Sequence, residues 1–394
     1  MTPLPTRVSR RRPWARLVLL ACALLAACAH RPPPSTPMSL LHDELFADAQ
    51  PPADRDQVFV LSEAMRRYAD AELGHVSGLR DARLVLLDAL YRQGGLRLSY
   101  DAAGTRNAAQ AFEARAGNCL SLVIMTAAFA RYMGMPVTFQ SVLVDESYAR
   151  NGDLLLVSGH VNLVLGQVRR RSTFSSGSDE LTVDFLPAEE IRGQRSQPIP
   201  ESTVLAMYFN NRAGESLVEG RLSESYAWAR EAIRREPGFR PAINTLGVVY
   251  MRSSHLAEAE AALRHVLAQE PDNSGTLSNL LLVLQRSGRT AEAQAVARQL
   301  AQVQPEAPFQ LFDQGRRAMA QGEYAKAREL FARELRLQPY QSEVHFWAAL
   351  ADWHLGDSKL AARHLQSAVE NSGTRQAQEI YAGKLARLRE LQRQ

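Results

Sequence analysis

Apolar positions along the first half of the chain follow two periods in succession. Residues 56–73, 77–93 and 105–117 space their apolar side chains at three- and four-residue intervals among charged ones, which predicts three amphipathic helices. A fourth helical run, CLSLVIMTAAFARYM (119–133), sets Leu120, Val123, Ile124 and Ala127 on one face and stops ahead of Gly134 and Pro136. The period then shortens to two. Segments 137–144, 153–168 and 181–187 predict strands, with a polar turn at Asn151-Gly152 and a basic, serine-rich loop holding Arg169, Arg170 and Arg171. Val161, Leu163 and Leu165 alternate with His160, Asn162 and Val164; Leu181, Val183 and Phe185 alternate with Thr182 and Asp184. Each of these two strands thus carries one ionisable residue off its more apolar face.

The second half keeps a single long period. Pro237, Pro271, Pro305 and Pro339 stand 34 residues apart, and other columns recur at fixed offsets from them. Ala213, Gly247, Leu281, Gly315 and Ala349 form one column; Gly220, Gly288, Gly322 and Gly356 form a second, with Ser254 as its exception. Ala259, Ala293, Ala327 and Ala361 form a third, and Leu263, Ala297, Phe331 and Leu365 a fourth. Small residues let two antiparallel helices approach, the glycine makes the turn between them, and the proline ends the second helix. The pattern resembles a tetratricopeptide repeat array. That resemblance implies about five repeats within 201–375, closed by a capping helix at 376–394, with a surface that binds a protein partner.

The extreme N-terminus is different again. Five arginines (Arg7, Arg10, Arg11, Arg12, Arg16) precede LVLLACALLAAC, an apolar run too short to span a bilayer as a mature helix. Leu25-Ala26-Ala27-Cys28 resembles the lipobox of bacterial lipoproteins, which implies cleavage after residue 27 and a diacylglyceryl thioether on Cys28. An ordinary signal peptide cut nearby is the alternative. Without residues 1–27 the chain carries 41 basic against 42 acidic residues, so no positive field remains to draw a nucleic acid. RPPPSTP (31–37) reads as a semi-extended tether. The lipoprotein resemblance places the protein in the cell envelope facing the periplasm; Ala29 lacks the acidic residue associated with inner-membrane retention, which favours the outer membrane.

Processing leaves Cys119 as the one cysteine not committed to lipid, in a compartment that oxidises thiols. It is either a buried apolar filler or a working nucleophile. Its context favours work: it opens a helix, where unpaired N–H groups and the dipole favour a thiolate. Antiparallel pairing of the last two strands brings Asp184 within hydrogen-bonding reach of His160. RAGNCLSLVIMTAAFARYMGMPV, then SGHVNLVL, then LTVDFLP, resembles the core of the transglutaminase-like superfamily, which is papain-like in architecture. The resemblance implies Cys119 as nucleophile, His160 as general base and acid, and Asp184 as the group that orients the imidazole. The aromatic often found after the family's histidine is replaced by Val161-Asn162, which leaves the second oxyanion donor open between Gln140 and Asn118. No metal-ligand spacing accompanies Cys119 and His160, and Asp145, Glu146 and Asp153 are not spaced as a calcium loop. Neither a metal nor another cofactor is expected.

Together these readings divide the chain into a leader (1–27), an acylated cysteine and tether (28–50), an α+β transglutaminase-like domain (51–200), an all-α repeat solenoid (201–375) and the cap (376–394). The expected activity is that of a membrane-anchored cysteine protease or amidase acting on peptide or protein amide bonds through an acyl-thioester. The alternative is an inactive lipoprotein adaptor that recruits envelope proteins through its repeats.

Overall fold

A computed structural model of the chain describes residues 36–50, 52–73, 81–91, 96, 98–102, 104–151, 154–166, 180–185, 195–304, 309–373 and 375–391. The leader, Cys28, most of the proline-rich tether and Arg169, Arg170 and Arg171 lie outside the described residues.

The N-terminal part is built around one helix. Helices α1 (Glu63–Tyr68), α2 (Ala82–Tyr91) and α3 (Ala108–Ala114) precede α4 (Cys119–Tyr132). Residues 120–130 of α4 are buried without exception, so the single apolar face expected from its spacing is too narrow a description. The reason is position: α2 and α3, strand β4 and the first repeat helix all pack on it. Its interior polar groups have partners; Thr126 Oγ1 meets the Tyr91 hydroxyl at 3.0 Å. Helices α1 and α3 begin later than their apolar spacing predicts because capping side chains start them there. Ser62 Oγ accepts the Met65 N–H at the head of α1, and Asn107 forms a capping box with Gln110 at the head of α3.

Two sheets accompany α4. Strands β1 (Ser99–Tyr100) and β2 (Ala116–Gly117) form a short parallel pair. Strands β3 (Val137–Asn151), β4 (Leu154–Gly166), β5 (Glu180–Val183) and β6 (Arg195–Ile199) form an antiparallel sheet in the order β5-β4-β3-β6. β3 runs past residue 144, and β6 was not foreseen from its sequence, RSQPI. Such a polar, proline-bearing segment is tolerated at a sheet edge, which is where it sits.

The remainder is a helical solenoid. Among the described residues, helices pair as α5 (Glu201–Val218) with α6 (Leu222–Arg235), α7 (Arg240–Arg252) with α8 (Leu256–Leu267), α9 (Ser274–Arg286) with α10 (Thr290–Val303), α11 (Gln310–Ala320) with α12 (Tyr324–Leu337) and α13 (Ser342–His354) with α14 (Ser358–Glu370). Helix α15 (Arg375–Leu391) packs on the last pair. Each turn within a pair has the same chemistry. Gly220, Gly288, Gly322 and Gly356 take φ of +76°, +72°, +75° and +81°, and the residue after each donates its N–H to a carbonyl five back, as from Arg289 to Leu284 at 3.0 Å. Within a pair, small residues are steric necessities: a Cβ on Gly247 would stand 2.8 Å from Leu263, and one on Gly315 would enter the ring of Phe331.

The two parts are continuous. One buried cluster runs from Leu40 through α4 and the sheet into the first three helix pairs, ending at Ala293, while pairs four and five have separate cores. Residues 37–46, within the segment read as tether, form two 3-10 turns whose Leu40 and Phe46 are buried in that cluster. Apolar anchors in an otherwise polar stretch explain the difference.

Candidate active site

The head of α4 is fixed from several directions. Asn118 is its N-cap, with Oδ1 accepting the backbone N–H and the hydroxyl of Ser121 at 2.9 and 2.8 Å, and Nδ2 donating to Thr105 Oγ1 at 2.9 Å. Gly117 sits where a Cβ would come 2.7 Å from that of Ser121, so only glycine fits two residues ahead of Cys119. The β1–β2 pair holds the strand leading in, and Ser121 Oγ accepts the Arg106 N–H at 2.8 Å. Thr105 in turn donates its N–H to Glu215 Oε1 on α5 at 2.6 Å, which ties the loop to the solenoid. Cys119 is thereby presented as the first helical residue, half-buried and with a free thiol. The first N–H groups of a helix have no intrahelical acceptor; the Asn118 cap takes that of Ser121, which leaves those ahead of it to face an anion.

His160 lies on β4 opposite Val142 of β3 and is 4% exposed. Asp184 follows β5 directly; the pairing of Val183 with Leu163 puts it abreast of Asn162, two residues along β4 from His160 and on the same face. Its neighbour Phe185 holds the position by packing on Tyr91 of α2, ring centroids 5.5 Å apart. The carboxylate bridges two residues of β4: His160 Nε2 donates to Oδ1 at 2.7 Å and Asn162 Nδ2 donates to Oδ2 at 2.9 Å. With Nε2 committed, Nδ1 is the ring nitrogen left to face Cys119, whose thiol is among the groups that raise the imidazole pKa. Burial pulls the imidazole pKa down, but the hydrogen bonds to Asp184 and then to Cys119, with the charges of both, outweigh it and push the pKa up to about 9.

The structure therefore brings Cys119, His160 and Asp184 together from positions 65 residues apart in sequence. Of the two oxyanion candidates, Gln140 pairs with Asn162 across β3 and β4 and so shares the sheet face of His160. The Asn118 amide is engaged at both ends in capping and in holding Thr105. Sequence reasoning missed Asn162 as the second partner of Asp184. The signal was present, since it lies two residues from His160 and on the same face of a strand. Among the described residues, no group of three or more His, Cys, Asp or Glu is placed to hold a metal ion, and no helix is long and apolar enough to cross a membrane.

Fold and repeat chemistry define a class: the chain carries a helical repeat solenoid resembling tetratricopeptide proteins. No family model matches it, and neither does any curated protein. Solved structures similar to it include a MamA protein, at 20% identity over 42% of this chain and 95% of that one with a TM-score of 0.24. YrrB, described as a TPR protein with an unusual peptide-binding site, aligns at 17% identity over 45% and 92% with a TM-score of 0.25. The pilF protein of Pseudomonas aeruginosa aligns at 21% identity over 48% and 85% with a TM-score of 0.28.

Proposed function

We propose that this chain is a partner-binding repeat scaffold that carries, at its N-terminal end, a transglutaminase-like thiol site acting as a cysteine protease or amidase. One observation supports the thiol chemistry above all: the imidazole of His160 is held by Asp184 through Nε2, and Cys119 lies near enough to help raise its pKa. An imidazole so placed takes the thiol proton and keeps it as imidazolium. The Cys119 sulfur then attacks a carbonyl carbon, and the oxyanion is met by N–H groups at the head of α4, each such donor supplying on the order of 3 kcal/mol. Collapse of the tetrahedral adduct expels the amine, which leaves with the proton from His160, and a thioester remains. His160 next takes a proton from water; the hydroxide displaces the thiolate and the acid product departs. A primary amine arriving ahead of water gives transfer instead of hydrolysis.

In the lipoprotein reading, a lipid on Cys28 carries this site into the periplasm, and the solenoid brings a protein partner or substrate to it. The tie from Thr105 to Glu215 supports coupling of the two, because the loop behind the nucleophile is bonded to the first repeat helix. A second reading, an inactive adaptor, is favoured by the extent of the array, which spans residues 201–391 against a single small site. The two separate on incubation with p-nitrophenyl acetate followed by intact-mass and peptide mapping. The enzyme reading expects acetyl transfer to Cys119 with release of nitrophenol beyond one equivalent, and neither event in Cys119→Ala or His160→Ala. A folded wild-type chain that remains unmodified supports the adaptor.

A further inference from the structure

Residues 40–46 lie on the repeats much as a bound peptide lies on a receptor. The Tyr250 hydroxyl donates to the Leu40 carbonyl at 2.7 Å and accepts the His42 N–H at 3.0 Å. The Asp43 carboxylate accepts from the Tyr226 hydroxyl and from Arg230 Nη1, both at 2.9 Å, with Arg234 alongside at 3.5 Å. Phe46 stacks on Tyr226 with centroids 4.3 Å apart and planes 9° from parallel. These receptor groups come from α6 and the end of α7, and the segment also packs on α8.

Two features distinguish this contact from ordinary core packing. The segment is joined to the rest of the N-terminal part through residues 47–62, in which the described positions form neither helix nor strand. The receptor is also not exhausted by what it holds. Arg230 is 7% exposed, and its Nε is buried with no hydrogen-bond partner, so a donor remains for an acceptor that Asp43 does not supply. We propose that the surface formed by Tyr226, Arg230, Arg234 and Tyr250 is a docking site for an acidic residue followed three positions later by an aromatic one. Asp43-Glu44-Leu45-Phe46 is its resident ligand in cis, and a partner protein displaying the same spacing occupies it by exchange. Charge complementarity selects this occupant: the pocket offers two guanidinium groups and a tyrosine hydroxyl to one carboxylate, and an aromatic face beside them. The proposal rests on the array as a binding scaffold and is independent of Cys119, so its test and the acetylation test fail separately.

The test titrates a fluorescein-labelled peptide of residues 36–50 against the full chain and against full-chain Asp43→Lys, whose own segment carries the wrong charge for Arg230. The expected result is saturable binding to Asp43→Lys and binding roughly tenfold or more weaker to the wild type, where a tethered competitor acts at an effective concentration of about millimolar. Adding Arg230→Ala, or using the Asp43→Asn peptide, is expected to remove the binding. Circular dichroism and thermal midpoints verify folding. Should Asp43→Lys fail to fold, the wild-type chain is challenged with a peptide bearing benzoylphenylalanine at the Phe46 position, which is expected to crosslink to α6 or α8. No saturable binding together with no crosslink overturns the proposal. So does binding that Arg230→Ala leaves unchanged, and so does concentration-dependent dimerisation of Asp43→Lys without peptide binding, which assigns the surface to a second copy of the chain.

Discussion

Ser254 stands in a column of glycines and behaves as one of them. Its φ is 65°, and the turn around it makes the same hydrogen bonds, with the His255 N–H on the Tyr250 carbonyl at 2.9 Å. A side chain in the left-handed region costs roughly 1 kcal/mol or more, whereas glycine adopts it freely. Ser254→Gly should therefore stabilise the chain by about 1 kcal/mol, read as a higher denaturation midpoint at unchanged slope. At the same scale, His160 has a folded-state pKa near 9 against a model-peptide value of 6.5. A raised imidazole pKa stabilises the fold fully below pH 6.5 and ceases to do so as pH rises through about 9. His160→Ala should thus lose more stability relative to wild type at pH 6 than at pH 10, as measured by chemical denaturation at both. The individual residues of the site were legible because their types and order are chemically unusual. Their bonding was not: an Asp184 carboxylate shared between His160 and Asn162 depends on a register offset of two residues, which keeps the face and which strand alternation alone does not specify.

Elements of the solenoid were legible because a 34-residue period repeats one packing problem five times and solves it with the same small residues. The exception is an acid where a repeat helix needs none. Asp352 of α13 is wholly buried, and neither carboxylate oxygen has a hydrogen-bond partner. The nearest base, His364 Nε2, is 3.8 Å away and has its own pKa pushed down to about 4 by burial, so it is neutral at physiological pH. Burial pushes Asp352 up to about 6. An acid with a raised folded-state pKa contributes stability below its unfolded value of 3.8 and loses it as pH climbs through 6. Asp352→Asn should raise the stability of the last two repeats at pH 7.5 by up to about 3 kcal/mol and change little at pH 3.5, a difference that thermal melts at the two pH values will register. The short elements were the least legible. β1, β2 and β6 are two to five residues long and carry no period, so they become visible only once their partners are in place.

On the scale of the whole molecule, the boundary suggested by the change of period near residue 200 is not a boundary in the core. Leu40, the α4 helix, the sheet and the first three helix pairs share one buried cluster, whereas residues 309–391 are cored separately. Native-state hydrogen exchange should therefore show α4 and α5 through α8 opening together at one high free energy, with α11 through α15 opening at a lower one. Sequence could not reveal this fusion, because it depends on long-range contacts such as Thr105 to Glu215 and Phe46 to Tyr226. The same long-range folding delivers a cysteine, a histidine and an aspartate to one place, and the rate of Cys119 alkylation by iodoacetamide in the full chain tests that arrangement most directly. The account predicts a rate at pH 7 well above that of an ordinary thiol, which changes as the imidazolium deprotonates near pH 9 and falls to the ordinary value in His160→Ala. A wild-type rate no faster than that of an ordinary thiol, and that His160→Ala leaves unaltered, would contradict it.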